Sequence, residues 1–218
     1  MPLRADAARN RKAIVDAARA VFAEQGLHVA LDEVARRAGV GNATLYRRFP
    51  TRADLVTAVF ADQMAEHVAA VARGLADPDP WLGLRSYLVA ISAMQANDRG
   101  LADLVTMDVS SAPEIEALRA QAFAGLVTLL ERAKAAGVLR ADFSAEDVLV
   151  LLMANAGLVE RAHGSARAAS ARLVHLVLDG ARAEAATDGP KPPTPSRMTL
   201  AMRAHGAQLR LACQAKED

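Results

Sequence analysis

The stretch 31–49 constrains this chain more than any other part of it. Its apolar positions Val34, Ala35, Val40, Leu45 and Phe49 follow neither strand alternation nor a single continuous helix. They fit two helices of about eight residues, over 31–38 and 42–49, with Gly39 between them to take the positive φ of a tight turn. Helices this short are not stable alone, so a third element must close the core. A longer helix expected over 6–25 supplies it. Ile14, Ala17, Ala18, Val21 and Phe22 lie on one face at i, i+3, i+4, i+7 and i+8, and Gly26 stops the helix. With that core closed, Asn42, Ala43, Thr44, Tyr46, Arg47 and Arg48 are left to face outward from the second short helix. This is helix-turn-helix spacing, in which a recognition helix puts its first residues at base edges and its polar flanks on phosphates.

Charge agrees with that reading once it is divided along the chain. The whole chain carries only +1, but residues 1–52 hold 10 basic and 5 acidic side chains, a net of +5, and the remainder is −4. A basic end on a mildly acidic body suits a domain that approaches phosphates. The single cysteine, Cys213, excludes an intrachain disulfide framework and a cysteine metal site. No unbroken apolar run approaches the roughly 18 residues of a membrane helix. The start, Met1-Pro2-Leu3-Arg4-Ala5-Asp6, lacks the apolar core of a secretory signal, so the expected compartment is the cytoplasm.

The rest of the chain reads as all-α. Alanine is abundant and β-branched runs are rare, which favours helix over sheet. Thr51-Arg52-Ala53-Asp54 is a capping box that starts a helix running to about residue 75. Asp77-Pro78-Asp79-Pro80 breaks it and opens the next, to about 96. A short helix is expected over 101–109. Ser110-Ser111-Ala112-Pro113 signals a long one to about 136, closed by Gly137. Ser144-Ala145-Glu146-Asp147 is a second capping box. The helix behind it carries six successive apolar residues, Val148 to Met153, and so is expected to be buried on most sides. The last long helix is expected over 165–186. The proline-rich segment 188–195 reads as an extended linker, and 196–215 as either a helix or a disordered tail. The domains are therefore 1–52 for DNA binding, 53–187 for regulation and dimerisation, and 188–218 for linker and tail.

The residues Ala35…Ala38-Gly39-Val40…Thr44-Leu45-Tyr46…Phe49, preceded by Ile14…Ala17-Ala18…Phe22…Gly26, resemble the TetR family of bacterial transcriptional regulators over about 10–60. Several fixed spacings agree together, which makes the match specific. The resemblance implies a homodimer whose two recognition helices read a near-palindromic double-stranded DNA operator, often near the regulator's own gene. It implies that Asn42 and Ala43 contact bases, an adenine and a thymine methyl respectively. Thr44 and Tyr46 would reach phosphates through their hydroxyls, with Arg48 and its neighbour Arg47 beside them. Arg52, at the start of the fourth helix, stands where a phosphate-binding lysine is common. Asp32 can accept from a cytosine amine. Two positions depart from the pattern. Ala30 replaces a capping Ser or Thr, and Gly41 replaces a frequent Ser, which removes two hydroxyls.

The resemblance also implies an unknown small-molecule effector that releases the repressor from DNA, bound beside the fourth and eighth helices. Met64, His67, Trp81, Tyr87, Met94, Met107, Met153 and Asn155 are the candidate pocket residues, although methionine is more often plain core. The last two long helices would pair with their copies, with Leu152, Leu173, Leu176 and Val177 as candidate interface residues. No cofactor, metal cluster, phosphate loop or nucleophile–base pair is legible, so no enzyme is expected. Two other readings stay open: a DNA-binding dimer governed by a protein partner, and a helical carrier with an incidental helix-turn-helix. Retention on heparin, released by salt, separates the last from the others.

Overall fold

The structure, a computed structural model, describes residues 2–108 and 111–214, with ten α-helices and no strand among them. The helices are α1 (Pro2–Gln25), α2 (Leu31–Ala38), α3 (Asn42–Arg48), α4 (Arg52–Ala76) and α5 (Pro80–Asn97), then α6 (Arg99–Thr106), α7 (Pro113–Ala135), α8 (Ala145–Ala162), α9 (Ala166–Ala181) and α10 (Pro195–Gln214). Val109 and Ser110, expected at the end of α6 and the start of α7, lie outside the described residues, as does Ala215 at the expected end of the tail.

Local chemistry explains most boundaries. Gly26, Gly39 and Gly137 end α1, α2 and α7 at φ of 83°, 67° and 71°, a region that costs an L side chain energy. The Thr51 hydroxyl accepts from the Asp54 amide at 3.1 Å while the Asp54 carboxylate accepts from the Thr51 amide at 2.9 Å, which completes the expected box. Asp79 caps α5 by accepting from the Trp81 and Leu82 amides. Asp147 accepts from the Ser144 amide at 2.8 Å at the start of α8.

Four expectations change. α1 begins at Pro2, because proline's fixed φ suits a first helical turn. α6 starts at Arg99, where the Asp98 carboxylate accepts from the Leu101 amide, and stops at Thr106. α9 ends at Ala181, short of the expected 186, because Arg182 turns extended and pairs antiparallel with Leu139. The tail is a helix, α10, from Pro195.

A three-helix unit, α1 to α3, packs on one end of the larger bundle. Phe22 of α1 stacks on Phe60 of α4 with ring centroids 6.1 Å apart. α4 lies against α5 and α7 and buries a stripe from Leu55 to Gly74. It is long and apolar enough to cross a membrane by length and composition, but that stripe makes it a core helix here. α8 is not buried all round. Val148, Leu151 and Leu152 face inward, while Val150 is 44% exposed.

Candidate nucleic-acid interface and apolar cavity

α3 is held by Leu45 and Phe49, both buried in the core that α1 and α2 complete. The Arg11 guanidinium sits 5.2 Å from the centre of the Phe49 ring and covers it from outside. This anchoring leaves Asn42, Ala43, Tyr46 and Arg47 exposed and Thr44 and Arg48 half-buried. Tyr46 keeps 43% of its surface in solvent although it is a large aromatic. Neither Ala30 nor Gly41 offers a side-chain cap, so the starts of α2 and α3 present uncapped amides.

The basic residues of this unit divide by partner. Arg36 forks onto Glu33 at 2.8 and 2.6 Å, and Arg37 forks onto Glu24 at 2.9 and 2.8 Å. Each of these guanidinium groups is held by a carboxylate. Arg47 has only a 3.4 Å contact to the Thr44 hydroxyl, and Arg48 Nε is buried without a hydrogen-bond partner. Asn42 donates to Asp32 at 2.8 Å, so the two base-edge candidates hold one another. Arg52, expected at a phosphate, is held by backbone carbonyls. Its guanidinium donates to the carbonyls of Leu27 and Val29 at 2.7 and 2.5 Å. It buttresses the loop before α2.

The larger bundle contains an apolar cavity of about 370 Å³ among α4, α5, α6, α7, α8 and α10. Of the eight residues expected to line a pocket, His67 and Tyr87 line this cavity. They are joined by a 3.0 Å hydrogen bond between His67 Nε2 and the Tyr87 hydroxyl, with their rings stacked. Burial depresses the His67 pKa to about 4 and raises that of Tyr87, so the pair stays uncharged at neutral pH. His67 Nδ1 is buried with no hydrogen-bond partner.

The other six sit elsewhere in the packing. Met64, three residues before His67, is wholly buried in the core and is not among the residues lining this cavity. Trp81 is buried beneath the Arg182 guanidinium, 4.5 Å from its ring centre. Met94 and Met107 lie half-buried against the core. Met153 lines a separate groove with His28, Arg99 and Glu160. Asn155 is fully buried and donates to Gln95 Oε1 at 2.8 Å, which ties α8 to α5. Leu152, expected at a dimer face, is buried and lines the cavity. Leu173 and Val177 are half-buried along a groove between α8 and α9 that Val150 shares, and Leu176 is 52% exposed.

Sequence reasoning missed Arg119, Glu116 and Phe123 on α7 and Met198 and Met202 on α10. The i, i+3 pair Glu116–Arg119, joined at 2.6 Å, was legible as an ion pair but not as a cavity rim. The i, i+4 spacing of Met198 and Met202 was the available signal for α10.

The family profile described as bacterial regulatory proteins, tetR family, matches residues 14–59, and the one described as transcriptional regulator SbtR-like, C-terminal domain, matches 79–183. No curated protein matches the chain. Among solved structures, a TetR transcription regulatory protein from Mycobacterium vanbaalenii is 38% identical, covering 83% of this chain and 99% of its own, with a TM-score of 0.48. A TetR transcriptional regulator from Streptomyces coelicolor is 32% identical over 79% of this chain and 98% of its own, also at 0.48. The transcriptional regulator FadR from Bacillus subtilis, solved with stearoyl-CoA, shares the fold at a TM-score of 0.57 with 18% identity, over 78% of this chain and 98% of its own.

Proposed function

Given that the chain belongs to the TetR family of bacterial transcriptional regulators, we propose that it is a homodimeric repressor that a small-molecule effector releases from a near-palindromic DNA operator in the cytoplasm. Residues 1–52 form the DNA-binding domain and 53–187 the regulatory and dimerisation domain. The observation that carries the reading is the outward face of α3: Asn42, Ala43, Tyr46 and Arg47 exposed on a helix anchored from behind by Leu45. Asn42 and Ala43 read bases, and Thr44, Tyr46, Arg47 and Arg48 hold phosphates. On DNA, Asn42 exchanges its bond to Asp32 for a base edge. Dimerisation sets the spacing of the two recognition helices, and the exposed Val150 and Leu176 with the half-buried Leu173 and Val177 give the apolar face for it.

α6 supports the coupling between the two sites. Val105 lines the cavity, and two residues earlier the Asp103 carboxylate accepts from the Leu27 amide at 2.7 Å, in the loop that leads to α2. Arg99 at the head of α6 donates to the Glu24 carbonyl of α1. A ligand that moves Val105 therefore moves the attachment of the DNA-binding unit. The cavity suits a mainly apolar molecule with one hydrogen-bonding group for His67, and its volume lies at the lower end of the range for ligand pockets.

The test is fluorescence anisotropy against the DNA upstream of the protein's own gene, at two salt concentrations. Sequence-dependent binding with a steep salt slope is expected. Equal affinity for that DNA and for random duplex would count against an operator at that position.

A further inference from the structure

We propose that α10 is a hinged lid on the cavity, which swings away to admit a ligand and closes over it afterwards. This rests on the reading of the cavity as the effector site. The matched C-terminal domain ends at residue 183, before α10 begins at Pro195, so the lid is an addition to the shared bundle. α10 contributes Pro195, Met198, Thr199 and Met202 to the cavity lining. Met198 is only 6% exposed, while Leu200, on the opposite side of the same turn, is 68% exposed. The face turned inward is thus the one that a ligand would meet. Two methionines give that wall flexible, polarizable side chains that adapt to varied apolar shapes. With α10 in place a partly open cavity of about 370 Å³ remains beside it, so the helix forms one wall and does not fill it.

Its attachments suit a hinge. At the near end the Thr187 carbonyl accepts from Arg140 at 3.0 Å, which fixes the start of the linker. The linker then runs through Pro190, Pro192 and Pro193, a stiff extended spacer that limits where α10 can go. Near the middle of α10 the Met202 carbonyl accepts from the Asp108 amide at 3.2 Å, and Arg203 lies 3.8 Å from the Asp108 carboxylate. Asp108 follows directly on α6, the helix that carries Val105 and Asp103. α10 is held by the buried Met198, the half-buried Met202, the backbone hydrogen bond to the Met202 carbonyl and a partly exposed ionic contact to Asp108. Breaking these contacts, which lie outside the core that α4, α5 and α7 share, opens the lid without unfolding the bundle.

The experiment is stopped-flow fluorescence with the neutral apolar probe N-phenyl-1-naphthylamine. It compares the full chain, Arg203→Glu, and a chain ended after Thr187. Arg203→Glu reverses the charge facing Asp108 without touching the cavity. Ala120→Trp, at the exposed cavity rim, reports whether the probe sits there. The lid predicts that entry and exit both accelerate at least tenfold in the shortened chain, with Arg203→Glu intermediate. It also predicts that equilibrium affinity falls at least threefold in the shortened chain and that Ala120→Trp blocks binding. Should the shortened chain not fold, Arg203→Glu decides alone. Equal rates in every chain, with binding still blocked by Ala120→Trp, overturn the lid and leave the effector cavity standing. Tighter binding without α10 makes the helix a plug and also overturns the lid. Binding indifferent to Ala120→Trp removes the effector cavity, and the lid falls with it.

Discussion

At the scale of single residues, partner and burial decide what each side chain can do. Arg37 is clamped by Glu24, whereas Arg47 is exposed with only a long contact to Thr44. Arg47→Ala should therefore lower the slope of log affinity against log salt by about 1, and Arg37→Ala should leave it nearly unchanged. Anisotropy titrations at four salt concentrations measure both. Tyr46→Phe removes one exposed hydroxyl and nothing else. It should weaken operator binding by about fivefold, near 1 kcal/mol for one hydrogen bond, with no change in melting temperature. His67 makes a different prediction. Its folded pKa of about 4 lies below the ordinary value of 6.5, because burial disfavours the charged ring. Between those values the unfolded chain binds a proton that the folded chain refuses. The stability is complete above pH 6.5 and is lost as pH falls toward 4, by roughly 3 kcal/mol in all. Urea denaturation at pH 7 and pH 5 should show a loss that His67→Leu abolishes.

At the scale of elements, the signals that are local in sequence were legible and those that depend on distant partners were not. Caps at Thr51 and Asp79 and stops at Gly26, Gly39 and Gly137 act within a few residues of themselves, so the sequence alone places those ends. The early end of α9 depends on Leu139, which lies more than 40 residues away, and no pattern near 181 announces it. The outward face of α3 follows from Leu45 and Phe49 taking the core positions. The cavity was not legible because core and lining share one apolar period: Met64 and His67 are a turn apart on α4, yet only His67 meets the cavity. Two predictions belong at this scale. A Cβ at Gly100 would stand 2.7 Å from Phe60 Cζ and 3.0 Å from Phe22 Cβ, where α6 crosses α1 and α4. Gly100→Ala should therefore destabilise the protein by about 1–3 kcal/mol in chemical denaturation. Leu176→Glu puts a charge on the exposed face of α9. Sedimentation velocity should then find monomers where the wild type sediments as a dimer, with helical content unchanged.

At the scale of the whole molecule, a basic end of net +5 meets a body of net −4, and α6 links the two. Val105 faces the cavity and Asp103 holds the loop before α2, so the cavity and the proposed DNA-binding surface share one strut. Coupling through a strut is reciprocal: an effector that weakens DNA binding is itself bound more weakly by the same factor on DNA. All of this depends on α3 reading DNA as one of a symmetric pair. The most direct test is selection of bound duplexes from random double-stranded DNA, by wild type and by Asn42→Ala with Arg47→Ala. The account predicts a near-palindromic motif with half-sites about one helical turn, or a multiple of it, apart. It also predicts that this motif is lost in the double variant. A motif without two-fold symmetry, or one that the double variant still selects, would contradict it.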